Sequence, residues 1–125
     1  DTRRAARQLH DEQEGGLLIY TQGSGGTLLF GAPGQAQPME VGAYHIPVVS
    51  DTIGAGDTFH SAFLAFLYSS NAFGGQFITQ DTSLLIEALD YACAAAAINV
   101  SRAGCSPPTK DEVLRLLASG TRTVG

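Results

Sequence analysis

The chain has 125 residues, 44% of them hydrophobic and 15% charged, with 15 glycines and a formal net charge of −5. That is enough apolar material for one buried core; it excludes a disordered chain and points to an α/β domain with many tight turns. The few Lys and Arg are scattered rather than clustered, so a nucleic-acid surface is not expected and any phosphate would have to be held by backbone amides. No apolar run approaches the roughly 20 residues that span a bilayer, and the opening Asp1-Thr2-Arg3-Arg4 is not a signal peptide. The expectation is a soluble, cytoplasmic chain with no membrane contact.

Thr2 to Glu14 is polar, with Ala5, Ala6 and Leu9 at helical spacing, and reads as the end of an amphipathic helix stopped by Gly15-Gly16. Leu17-Leu18-Ile19-Tyr20 is a short continuous apolar run, expected as a strand buried on both faces and as half of a parallel crossover unit. Thr21 to Gly26 is glycine-rich but leads into Thr27-Leu28-Leu29-Phe30, a second strand-like run. A dinucleotide fingerprint requires its glycines to open a helix, so a hairpin turn is the better reading. Gly31 to Pro38 reads as a turn, and Met39-Glu40-Val41 begins a further short strand.

Asp51-Thr52-Ile53-Gly54-Ala55-Gly56-Asp57 then feeds an apolar helix running to about Ser70. Small residues leave the amides at a helix start uncovered, and the positive end of the helix dipole attracts anions there. Asp57 falls in the first turn, where a carboxylate also stabilises the helix end by itself, by about 0.3–1 kcal/mol. Asn71 to Thr82 reads as a surface connection. Asp81-Thr82-Ser83 supplies caps for a helix carrying Leu84, Leu85, Leu89 and an alanine run to Ile98, followed by a loop from Asn99 to Gly104. Pro107-Pro108-Thr109 caps a last amphipathic helix, Lys110 to Ala118, ended by Gly120. Cys93 reads as a small buried thiol. The two cysteines and His10, His45 and His60 share no ligand spacing.

The spelling Asp-Thr-x-Gly-Ala-Gly-Asp followed by Thr58-Phe59 resembles the signature of the PfkB family of carbohydrate kinases. The resemblance implies the C-terminal part of a ribokinase-like three-layer α/β/α fold, with residues 1–125 as a single nucleotide-binding portion. It implies Asp57 as the catalytic base, and Gly54, Ala55 and Gly56 as amide donors to the transferring phosphate. Thr21, Gly23 and Gly26 match the family's Thr-x-Gly-x-x-Gly turn beside the nucleotide. Asn99, Ala103 and Gly104 fall on the expected wall of the adenine pocket. Asp51 and Ile53 match positions whose backbone carbonyls help hold a monovalent cation, together with the loop around Ala103 and Gly104. ATP, Mg2+ and K+ are the cofactors so implied. Asp57-Thr58-Phe59-His60 and Ser101 to Thr109 look most like bacterial fructokinases, so the implied reaction is ATP-dependent phosphorylation of fructose at its terminal hydroxyl. Relatives acting on ribose, 2-keto-3-deoxygluconate or a nucleoside carry similar segments.

Members of the family are usually much longer than this chain. The N-terminal sugar-binding part and the lid are expected to lie outside it, and no Asn-x-x-Glu occurs, since Asn71 precedes Ala72-Phe73-Gly74 and Asn99 precedes Val100-Ser101-Arg102. The isolated chain is therefore expected to be inactive. The competing expectation is a noncatalytic piece that binds nucleotide or self-associates through an uncovered apolar face. An oxidoreductase would need a helix after Gly26.

Overall fold

The protein is described by a computed structural model covering residues 1–13, 16–32, 34–71, 73–74, 77–78 and 81–120. Helix α1 (Thr2–Glu12) leads to strands β1 (Leu18–Thr21), β2 (Thr27–Phe30) and β3 (Met39–Val41). Helix α2 (Ala55–Ser69), the short strands β4 (Phe73–Gly74) and β5 (Phe77–Ile78), and helices α3 (Thr82–Val100) and α4 (Lys110–Ser119) complete the order.

The first three strands form an antiparallel meander, β1-β2-β3, with Ile19 opposite Leu29 and Leu29 opposite Met39. The alternation of side chains along a strand sends β2 residues to two different cores. Leu28 and Phe30 pack with Ala6 of α1, whereas Leu29 joins Phe59, Phe63 and Leu67 of α2 and Leu85, Leu89 and Ala92 of α3. A helix on one face and a helical layer on the other make the three-layer α/β/α arrangement expected from the sequence.

Two details differ. β1 is half-buried at its apolar positions while β2 is buried throughout, because β1 lies at the edge of the meander and β2 in its middle. The expected parallel crossover is not made among the described strands; the turn from Thr21 to Gly26 is too short for anything but a reversal. In the surface connection after α2, the described residues form the small β4–β5 antiparallel pair. Glu14, Gly15 and Gly75, expected to take part in ending helices, lie outside the described residues.

α2 places Phe59, Phe63 and Leu67 at i, i+4 and i+8 on its inner face, against α3. In α3 the buried Ala88, Ala92 and Ala95 let the two helices approach closely. Contrary to the expectation that no apolar stretch reaches bilayer length, α3 is long and apolar enough by composition to cross a membrane. Packing against α2 and α4 accounts for that composition here. α4 is started by a full capping box, in which the Thr109 side chain accepts from the Glu112 amide and Glu112 accepts from the Thr109 amide. Its Val113 is buried against the main core.

Candidate functional site

The start of α2 is built by Gly54, which caps the helix at φ 81° and makes no side-chain cap bond. This left-handed backbone suits glycine, and a β-carbon there would collide with Cys105 Sγ. The turn is closed by the Ala55 amide donating to the Thr52 carbonyl at 3.3 Å and the Thr58 amide donating to the Gly54 carbonyl at 2.8 Å. Ala55, expected to offer its amide outward, thus already spends it on the turn. Gly56 has open space on its β-carbon side, and with Asp57 it lies in the first turn, where helical geometry leaves the amides free of intrahelical acceptors.

Two clefts meet at this helix start. The first, of about 360 Å³, is lined by Thr21, Gly23 and Ser24 of the glycine turn, by Ala55 and Gly56, and by Ala96, Ala97 and Val100 of α3. Its floor and sides include Tyr44, His45, Ile46, Val49, Phe59 and Cys93. The size and the mixture of apolar walls with a few polar groups suit a small organic ligand. The second hollow, of about 370 Å³, lies on the other flank of α2 and is lined by Asp57, Ser61, Tyr91, Cys105, Pro107 and Pro108, among others. Adjacent residues of one helical turn therefore border different clefts: Gly56 the first, Asp57 the second. Tyr91 packs against Phe66, the rings tilted by 42° with centroids 5.4 Å apart, and burial raises its hydroxyl pKa above the ordinary value.

The loop ahead of α2 is tied to the loop after α3. The Asp51 carboxylate accepts from the Ile53 amide at 2.9 Å and from the Gly104 amide at 3.1 Å. Asn99, fully buried, donates its Nδ2 to the Ile53 carbonyl at 2.9 Å and accepts from the Ser106 amide at 3.0 Å. Arg102 forms an ion pair with Glu112 and donates to the Ser106 carbonyl at 3.4 Å.

The positions singled out from the sequence do not all gather at one place. Thr21, Gly23, Ala55 and Gly56 converge on the first cleft, with Gly54 capping the helix beside them and Asp57 facing the second. Gly26 does not reach the cleft: at φ 86°, a β-carbon on it would lie 2.5 Å from the Val41 carbonyl oxygen, so its glycine serves the close approach of β3. Asn99, expected in a loop against the nucleotide, sits in the last turn of α3 and braces the Asp51–Gly54 loop instead. Ala103 and Gly104 are exposed, and Gly104 acts through its amide on Asp51. Ile53 offers the carbonyl expected to face a cation to the Asn99 amide, and Asp51 takes part in the junction through its carboxylate. His60 is exposed and lines neither cleft. Tyr44, His45, Ile46, Val49 and Cys93 of the first cleft carry no recognisable spacing in the sequence. Thr27, paired with Cys93 at 3.6 Å between Oγ1 and Sγ, is a strand residue like its neighbours.

These features define a ribokinase-like unit. The chain superposes on ribokinase from Thermotoga maritima with a TM-score of 0.74 at 26% identity, covering 95% of this chain and 35% of that one. Ribokinase from Giardia lamblia gives 0.74 at 26%, covering 94% and 36%. The model for pfkB family carbohydrate kinases matches residues 1–112, and the chain belongs to that family. In sequence it is 39% identical over 82 residues to a fructokinase of Solanum tuberosum, covering 64% of this chain and 24% of the relative. It thus spans about a quarter of the curated relatives it matches.

Proposed function

We propose that this chain forms the nucleotide-binding, base-bearing portion of an ATP-dependent sugar kinase, with fructose as the acceptor. The observation that carries the reading is the division at the start of α2, where Gly56 borders one cleft and Asp57 the other. In-line phosphoryl transfer needs this separation: donor on one side, attacking hydroxyl on the other, and positive potential between them. The nucleotide occupies the first cleft, its base against Ala96, Ala97 and Val100 and its phosphates toward Gly56. The free amides of the first turn and the dipole of α2 hold the transferring group, a contribution of about 3 kcal/mol per donor in the transition state.

The sugar hydroxyl oxygen attacks the γ-phosphorus, the bond from phosphorus to the bridging oxygen of ADP breaks, and the hydroxyl proton passes to the Asp57 carboxylate. A positioned base of this kind contributes about 10²–10⁴-fold. Magnesium, when brought by the nucleotide phosphates, would supply charge neutralisation there. Among the described residues no group of three or more His, Cys, Asp and Glu is gathered to hold a metal by itself. Fructose is favoured by the 39% identity to a fructokinase; the ribokinase neighbours at 26% identity favour ribose as the second reading. The remaining sugar contacts come from parts of the family fold that these residues do not span. On its own the chain is expected to be inactive and to self-associate, given exposed Val48, Val49 and Ile53.

Calorimetric titration with Mg-ATP tests the nucleotide half. Binding should survive Asp57→Ala and weaken by about tenfold or more in Gly56→Leu, whose side chain enters the cleft (1.4 kcal/mol per decade). In the whole protein, Asp57→Ala should lower kcat by about 10²–10⁴-fold with little change in the KM for ATP. Equal activity of that variant, or preference for another acceptor over fructose, sinks the corresponding half of the assignment.

A further inference from the structure

The last turn of α3 faces two ways. Ala96, Ala97 and Val100 line the first cleft, while Asn99, about 100° round the helix from Val100, is fully buried and lines neither cleft. Its Nδ2 donates to the Ile53 carbonyl at 2.9 Å and its Oδ1 accepts from the Ser106 amide at 3.0 Å. Donor meets acceptor at both ends, so the side-chain amide has one workable orientation. The backbone of the same turn makes the same connection. The Val100 carbonyl accepts from the Ser50 amide at 2.8 Å and from the Asp51 amide at 3.2 Å. Three hydrogen bonds therefore tie this turn to residues 50–53, and Ile53 is followed directly by Gly54, the cap of α2.

We propose that the last turn of α3 sets the distance between the wall that receives the nucleobase and the α2 amides that receive the phosphates, with Asn99 as the positioning residue. This rests on the nucleotide assignment made above. Asn99 acts through the Ile53 carbonyl: one residue further along, the chain turns into α2, so a shift at Ile53 passes straight to the amides of the first turn. Loss of the side-chain tie leaves Ala96, Ala97 and Val100 on a helix still packed against α2 and α4, and frees the loop that aims the amides. The base half of the site is kept and the phosphate half is misaligned, an error to which transfer is sensitive.

Calorimetric titration of the whole protein with adenosine and with Mg-ATP separates the two halves. Asn99→Leu removes both side-chain bonds at similar size, and Asn99→Asp keeps the acceptor for the Ser106 amide while losing the donor to Ile53. Each variant should bind adenosine within about twofold of the unaltered protein, bind Mg-ATP about tenfold more weakly, and lose about 10–100-fold in kcat. Equal losses for both ligands, or an unchanged Mg-ATP affinity, overturn the proposal. Should neither variant fold, amide exchange in the unaltered protein decides. Mg-ATP should slow exchange of the Ser106 amide, which borders neither cleft, more than saturating adenosine does; equal effects overturn the proposal. Absence of binding of either ligand to the unaltered protein refutes the nucleotide assignment and this proposal with it, whereas normal binding there with no selective loss in the variants refutes this proposal alone.

Discussion

Two glycine-rich stretches face one another across the first cleft and use their glycines for opposite purposes. In Thr21–Gly26 the glycines reverse the chain between two strands, and Gly26 is pressed against the backbone of β3. In Gly54–Gly56 they start a helix, and Gly56 keeps open space beside its α-carbon. Similar composition gives a packed turn in one place and a bare helix terminus in the other, because the element entered next decides the outcome. The strand-to-strand turn closes on itself, its Gln22, Gly25 and Gly26 amides donating to the Gly26, Gln22 and Gly23 carbonyls, whereas the first turn of a helix leaves its amides free.

The largest stability effect expected from this contrast is at Gly26. Gly26→Ala adds a β-carbon 2.5 Å from the Val41 oxygen at a positive φ. The backbone strain alone costs about 1–3 kcal/mol, and the collision adds to it, so denaturant titration should show a large fall in midpoint. Gly23→Ala has positive φ but no neighbour within 4 Å, and should cost about 1–2 kcal/mol. Equal losses at the two sites would refute the view that Gly26 is held by packing. Gly56→Ala should change stability by about 1 kcal/mol or less, in the stabilising direction, while weakening Mg-ATP binding. A strongly destabilised variant would show that the space beside Gly56 is filled.

The smallest effect belongs to the second hollow. Burial raises the Tyr91 pKa above its ordinary value of 10.0, so the folded state keeps the phenol proton more tightly than the unfolded chain. The associated stability is present below the unfolded pKa and is lost as pH rises through the folded one. Tyr91→Phe retains the ring against Phe66 and should flatten the alkaline limb of a stability-against-pH curve. An unchanged limb would mean that the hydroxyl is solvated.

How much could be read in advance depended on how local the cause was. Gly54, Gly56 and Asp57 announce a helix start with exposed amides because glycine spacing and a first-turn carboxylate act within a few residues. The β1–β2 hairpin and the α3 and α4 caps at Asp81 and Thr109 were legible for the same reason. Asn99 was misplaced because its partners, Ile53 and Ser106, lie 46 and 7 residues away, and a polar residue after an alanine run resembles the start of a loop. Tyr44, His45, Ile46, Val49 and Cys93 gave no warning that they share a cleft.

By itself the sequence determined the family signature, the order of the four helices and the first three strands, and the anion-ready terminus of α2, since each arises from propensity, capping and backbone freedom over short spans. Only the tertiary structure decided that β1 is an edge strand, that Gly56 and Asp57 open on separate clefts, and that a buried amide occupies the carbonyl expected to face a cation. Those outcomes depend on which distant surfaces meet, and burial of β2 and α3 against their neighbours settles that.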